Sequence, residues 1–157
     1  MDISRACFFT GHRNVPREEE ADLRVRLREK INILVKKGVT DFISGGAYGF
    51  DTICAEEVLE MKKRYPHIRL QLFLPCANHN SRWRKSSREY FKTIMDRADV
   101  VIKISEFNYF NGCTIVRNTS MAKSALYCIA YYKGTEGGTQ NTVRQAAELN
   151  RIIVNIA

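Results

Sequence analysis

The stretch "ALYCIAYYKGTEGGTQNTVRQAAELNRIIVNI", Ala125 to Ile156, contains a complete structural unit. "ALYCIAYY" is an apolar, β-prone run and reads as a strand. "NTVRQAAELN" (Asn141–Asn150) has helical character, and "RIIVNI" is again a strand. Between the first strand and the helix stand Gly137, Gly138 and Thr139. Glycines at the mouth of a helix fit a plain tight turn. They equally fit a phosphate-holding turn, because glycine lets a ligand approach the backbone and a helix N-terminus offers unbonded N–H groups and a positive dipole.

The same rhythm runs back to the N-terminus. Ala6–Phe9 is a short buried-type strand stopped by "TGHR" (Thr10–Arg13). Pro16 and Glu18–Glu20 open a helix on which Leu23, Leu27, Ile31 and Leu34 share one face, and Gly38 closes it. "DFIS" (Asp41–Ser44) is the second strand, followed by "SGGAYGFD" (Ser44–Asp51). A helix then runs over Asp51–Tyr65 with Ile53, Val58 and Met61 inward. Ile68–Pro75 is the third strand, Ser81–Ala98 a helix, Asp99–Ser105 the fourth strand and Thr114–Ser124 a short helix. Strand and helix alternate from end to end, which predicts an α/β fold: a single Rossmann-like domain over residues 1–157. Its sheet is mainly parallel and doubly wound, with helices on both faces. No linker, repeat or low-complexity segment interrupts it. Ligands of such sheets sit at the carboxyl ends of the strands, so the loops after strands are where function is expected.

With 45% hydrophobic and 27% charged residues the 157-residue chain has the composition of a globular domain able to bury a core. No apolar run is long enough to span a bilayer, and "MDISRACFFTGHR" lacks the layout of a signal peptide. Five cysteines with no C-x-x-C pair read as reduced core thiols, which points to a cytoplasmic protein with no membrane partner and no metal site. The net charge of +8 suits an anionic partner, nucleotide or nucleic acid, although a basic surface alone does not separate the two from an ordinary one. Part of the excess is clustered at Arg82, Arg84, Lys85 and Arg88.

The candidate ligand contacts lie in the loops. Gly45, Gly46 and Gly49 approach a dinucleotide fingerprint without matching G-x-G-x-x-G, and there is no Walker lysine. Asp51 heads the following helix, where it can cap the helix or accept a bond from a sugar hydroxyl. A second glycine pair, Gly137-Gly138, at the same sheet edge favours phosphate capture over two idle turns. Arg13 and Arg117 offer forked cations suited to phosphate oxygens. His12 has no serine or cysteine placed to partner it and reads as a hydrogen-bonding group to a ligand. Trp83 and Tyr90 offer faces for a base, and Tyr109 and Phe110 read as a pocket rim.

"FTGHR", "SGGAYGFD", P-x7-W at Pro75–Trp83, "RNTSM" and "EGGTQNTV" occur in the order of the motifs of the SLOG superfamily, which this chain resembles over nearly its whole length. That Rossmann-like group includes the DNA-processing protein DprA and the LOG enzymes, and the resemblance is to its small, stand-alone YpsA-like branch. It implies a pocket for nucleotides or nucleotide-derived ligands. Thr10, Gly11 and Arg13 would line a first loop, and Ser44, Gly45, Gly46, Gly49 and Asp51 a second. Arg117, Asn118 and Met121 would match R-N-x-x-M, and Gly137, Gly138 and Thr139 the phosphate turn. Two acids common in this branch are replaced by Lys123 and Tyr132. LOG phosphoribohydrolases carry a glutamate in P-G-G-x-G-T-x-x-E; here Val143 and Arg144 stand in its place. Glycosidic cleavage needs such a carboxylate, leaving only Asp51 and Glu136 as stand-ins.

The expectation is therefore a binding module for a nucleotide or ADP-ribose-like ligand, with no further cofactor required. The alternatives are a LOG-type nucleoside-monophosphate N-glycosidase or phosphoribosyl enzyme using Asp51 or Glu136, and DprA-like binding of single-stranded DNA. A homodimer through a helix face is open to a domain of this kind.

Overall fold

Every strand read from the sequence forms, and each except the last feeds a helix. The computed structural model describes residues 2–157. After a 3₁₀ turn (Ile3–Arg5) come β1 (Ala6–Gly11), α1 (Arg17–Lys36), β2 (Asp41–Ser44), α2 (Phe50–Met61), β3 (Arg69–Leu74) and α3 (Lys85–Arg97). They are followed by β4 (Val100–Lys103), α4 (Cys113–Ser124), β5 (Tyr127–Tyr131), α5 (Gly138–Glu148) and β6 (Ile152–Asn155). The six strands form one sheet in the order β4-β3-β2-β1-β5-β6, and all five neighbouring pairs are parallel.

The order positions the site. From β1 the chain steps outward to β4; α4 then carries it back to the other side of β1. Loops leaving β1 and β5 therefore diverge, and the divergence opens a crevice at the carboxyl ends of these two strands.

Period-two alternation along the strands builds two apolar layers. Phe9, Phe42, Leu70, Leu72 and Tyr131 face α1, α2 and α3. Ala6, Phe8, Ile43, Phe73 and Ala130 face α4 and α5, whose Ala122 and Ala146 are also buried. The second layer is thus rich in alanine, which lets α4 and α5 lie close to the strands. On α1, Leu23, Leu27, Ile31 and Leu34 are all buried at the spacing read from the sequence, each worth roughly 1.5–3 kcal/mol over an exposed position. Arg24 reaches Glu56 at 2.9 Å and Glu57 at 2.8 Å, tying α1 to α2.

Three boundaries differ from the sequence reading by three residues or more. The third helix begins at Lys85, not Ser81, because Ser81–Trp83 are held in tight turns by bonds from Ser81 N to Asn78 O (3.1 Å) and Trp83 N to Asn80 O (3.0 Å). Helix α2 ends at Met61, with Lys63 and Arg64 already in turns. Helix α5 starts three residues before Asn141: the N–H of Asn141 donates to the Gly137 carbonyl at 3.1 Å, so the ladder reaches back into the glycines. Glycine's low helix propensity hides this extension from a sequence reading, but the first turn lacks intrahelical donors anyway and tolerates it.

Candidate functional site

A cleft of about 280 Å³ opens at the carboxyl ends of β1 and β5. Three segments build most of it, and Ala47 and Asp51 complete the lining from the loop after β2 and the start of α2. The first is Phe9–Arg13, the end of β1 and its loop. The second is one face of α4, where Thr114, Arg117, Asn118 and Met121 recur at helical spacing. The third is Thr135–Thr139, leading into α5. The segments read as "TGHR", "RNTSM" and "EGGT" thus converge, although 122 residues of sequence lie between Arg13 and Glu136, for a plain topological reason: they flank the point where strand order reverses.

Arg117 is the electrostatic centre. It is buried on the inner face of α4, and its Nη1 donates to the carbonyls of Gly45 and, at 3.4 Å, of Phe73; Nε donates to the Asn118 side chain at 2.7 Å. Burial works against its charge and Arg13 adds repulsion, while the Asp51 carboxylate opposes both effects. Asp51 is buried as well. Burial pushes its carboxyl above the ordinary carboxylate range, and Arg117 pulls it back down. Among the described residues no carboxylate lies within 4.0 Å of the Arg117 guanidinium, so the cleft floor carries a positive charge balanced only at longer range.

Helix α5 aims its N-terminus at the same space. Gly137 is its N-cap, no side chain caps it, and its first turn carries no acid. The N–H groups at Gly138, Thr139 and Gln140 precede the first intrahelical donor, Asn141. A side chain at Gly137 or Gly138 would meet nothing within 4 Å. These glycines keep a helix end open.

The glycines after β2 are used differently. An added Cβ at Gly45 would lie 2.5 Å from Arg117 Nη1 and 2.9 Å from Asp51 Oδ2; at Gly46 it would lie 2.5 Å from Leu74. Gly49, with φ of 85°, would drive a side chain into the Arg13 backbone. Ser44 Oγ donates to the Asp51 carbonyl at 2.9 Å and accepts from Gly46 N at 3.3 Å. Ser44, Gly45, Gly46 and Gly49 therefore sit behind the cleft and fit the protein's own groups together. Asp51 is not the helix cap, which is Gly49; its carboxylate accepts the Ala47 N–H at 3.2 Å and braces the loop.

His12 ties two walls together. Its Nε2 accepts the backbone N–H of Lys133 at 3.0 Å, and burial together with the Lys133 charge lowers its pKa, so the imidazole is held neutral in this role. The Lys133 ammonium points away, pairing with Glu19 at 2.7 Å.

A second chamber of about 440 Å³ adjoins the first and shares Arg13, Ala47, Thr114 and Arg117 with it. Trp83 lies here rather than beside the Gly137–Thr139 turn. It makes edge contacts with Tyr48 (centroids 5.7 Å apart), His79 (5.6 Å) and Phe91 (5.5 Å). Tyr48, His79 and Tyr109 also line this chamber. Tyr109 was legible as a rim residue; Tyr48 was not, since nothing in "GGAYGF" separates an aromatic wall from a loop filler. Thr114 could have been found, because it stands three residues before Arg117 on the same helix face. Phe110 does not line either chamber. Tyr90 lies on the outer side of α3, bonded to Glu56, away from both.

Among residues lining the first chamber, Asp51 and Glu136 carry the carboxylates: one buried, the other exposed on the rim. Val143 is half-buried against the second apolar layer, and Arg144 is exposed and bonded to Asn141 at 2.6 Å. No group of three or more metal-ligating side chains occurs among the described residues, and none of their helices is long and apolar enough to cross a membrane.

An open, parallel, doubly wound sheet with a cationic cleft and a bare helix end at its switch point defines a Rossmann-like α/β domain. Residues 9–151 match the YpsA family, described as the YspA SLOG family, and the chain belongs to it. UPF0398 proteins of Bacillus thuringiensis (strain Al Hakam) and Bacillus cereus (strain Q1) are each 26% identical to it over 134 residues, spanning 85% of this chain and 73% of theirs. The fold is shared with DNA processing protein A from Helicobacter pylori (TM-score 0.68, 19% identity) and from Streptococcus pneumoniae (TM-score 0.67, 14% identity). In both cases 97% of this chain is covered, but it spans only 65% and 50% of those longer chains.

Proposed function

We propose that the switch-point cleft binds a nucleotide or nucleotide-derived ligand, ADP-ribose-like in build, through its phosphates. The observation that carries this reading is the convergence of two anion-seeking groups on one small cleft: the uncapped N-terminus of α5 and the buried Arg117 guanidinium. A helix N-terminus favours negative charge, and a buried guanidinium lacking a close carboxylate gains most from an anion. Thr139 adds a hydroxyl at the helix start, and Arg13 supplies a second cation at the cleft mouth. Binding of ADP-ribose or a mononucleotide is expected to raise the melting temperature, and Gly138→Asp to abolish the rise. A flat response across a nucleotide panel would count against the reading.

Hydrolysis of the LOG type is not part of it. The helix position of the LOG glutamate is filled by Val143 and Arg144, and Asp51 is engaged with the Ala47 N–H. Mononucleotides incubated with the protein are expected to be recovered intact by chromatography. Base release abolished by Glu136→Ala or Asp51→Ala would reverse that.

Single-stranded DNA is the second reading, favoured by one feature of the surface. Arg82, Arg84, Lys85 and Arg88 are all exposed around the start of α3, and the H. pylori relative in fold binds single-stranded DNA. Affinity from such a cluster should fall steeply with salt. Gel shifts that stay blank at low salt would remove it.

A further inference from the structure

The second chamber has no assigned role in phosphate capture, yet it opens directly onto the first. It is lined by three aromatic residues, Tyr48, Trp83 and Tyr109. Two of them are among the more exposed large side chains of the molecule: Tyr48 is 58% and Tyr109 65% exposed. They come from three different loops, after β2, β3 and β4, and are not an accident of one flexible segment. The loops are fixed to each other. The Asn78 side-chain oxygen accepts the Tyr109 N–H at 2.7 Å, Ala77 N donates to Phe107 O at 3.0 Å, and the Tyr48 ring sits edge-on to Trp83. Trp83 is itself wedged against His79 and Phe91, so the wall it forms is rigid. Aromatic walls held in place around a concave chamber match a flat ring that stacks.

We infer that the second chamber is the base subsite, with Tyr48, Trp83 and Tyr109 selecting ligands that carry a nucleobase over bare phosphosugars. This rests on the phosphate reading of the first chamber and gives the ligand a direction. The phosphate end lies at α5, the sugar passes Arg13 and Thr114, which both chambers share, and the base lies toward β3. A further chamber beside α3 and Glu56 adjoins this path at Arg13, Tyr48 and Trp83 but includes none of the α4 residues that line the first two.

The test compares ligands that differ only in the base. Affinities of AMP, GMP, CMP and UMP are measured by calorimetry beside ribose 5-phosphate, for the wild type and for Tyr48→Leu and Tyr109→Leu. Both tyrosines are exposed enough for the substitutions to spare the fold, which an unchanged melting temperature without ligand verifies. Stacking of one base is worth about 5- to 150-fold in affinity. At least one mononucleotide should therefore bind the wild type tenfold or more tightly than ribose 5-phosphate. Either substitution should shrink that ratio at least fivefold while leaving ribose 5-phosphate binding unchanged. A wild-type ratio near one for all four mononucleotides, or a ratio indifferent to both substitutions, overturns the base subsite while the phosphate reading stands. No binding by any of the five compounds removes both.

Discussion

Nη1 of Arg117, on the fourth helix, donates a hydrogen bond to the carbonyl of Gly45, on the loop after the second strand. The two positions are 72 residues apart, and the contact exists only because Gly45 has no side chain. Gly45→Ala would place a methyl group 2.5 Å from that nitrogen and 2.9 Å from Asp51 Oδ2. Overpacking of this kind costs about 1–3 kcal/mol. The expected result is a lower urea midpoint together with loss of the thermal shift proposed for nucleotides, since the guanidinium must move. A variant as stable as wild type with an intact shift would show that Arg117 is not held as described.

Gly138 provides the contrast. It lies in the first turn of α5, and an added Cβ meets nothing within 4 Å. Gly138→Ala should leave the ligand-free protein equally stable or gain up to about 1 kcal/mol from helix propensity. Gly138→Asp should keep the fold and lose the ligand, because it sets a carboxylate where phosphate is proposed. Circular dichroism melts with and without AMP separate the two effects.

Asp51 makes a pH prediction whose sign follows from burial. Its folded-state pKa lies above the ordinary 3.8, so the folded protein holds this proton more tightly than the unfolded chain. Its contribution to stability is therefore greatest at low pH, declines as pH rises from 3.8 through the raised value, and is constant above. Asp51→Asn retains an acceptor for the Ala47 N–H and removes the titration. Urea melts of both proteins from pH 4 to 8 should show the variant gaining on wild type as pH rises, by no more than about 1.4 kcal/mol per unit, then levelling. A difference independent of pH would refute the assignment.

His79 works in the opposite direction. Burial lowers its pKa to about 4, with the nearby Gly46 backbone partly opposing the shift and the charges of Arg117 and Lys103 adding to it. Its Nε2 is buried without a hydrogen-bond partner among the described residues. The unfolded chain takes up this proton near 6.5, the folded protein only near 4, so stability is lost as pH falls between those values. Proton NMR should find the imidazole neutral at pH 6. His79→Phe, which preserves the ring packing against Trp83 and Phe91, should lose less stability than wild type between pH 6.5 and 4.

The order of elements, the four residues of the α1 stripe and the glycine turn before α5 were legible in the sequence because each depends on neighbours a few residues away. Periodicity places Leu23, Leu27, Ile31 and Leu34 on one face, and glycine marks where a turn must be. The same local logic gave Gly45-Gly46 and Gly137-Gly138 one meaning, and there it reached its limit. Both pairs follow a strand and precede a helix, yet one pair is filled by Arg117 and Leu74 while the other stands open.

What the sequence by itself determined is the alternating α/β chain and the set of loops that gather at one sheet edge, since both follow from hydrophobic period and chain direction. Only the tertiary structure decided which glycines open onto the cleft, that Asp51 braces a loop instead of capping a helix, and that Tyr48, Trp83 and Tyr109 share a chamber. Those facts depend on which distant residue occupies a given space. That is set by the return of the chain across β1 through α4, and no spacing along the sequence encodes it.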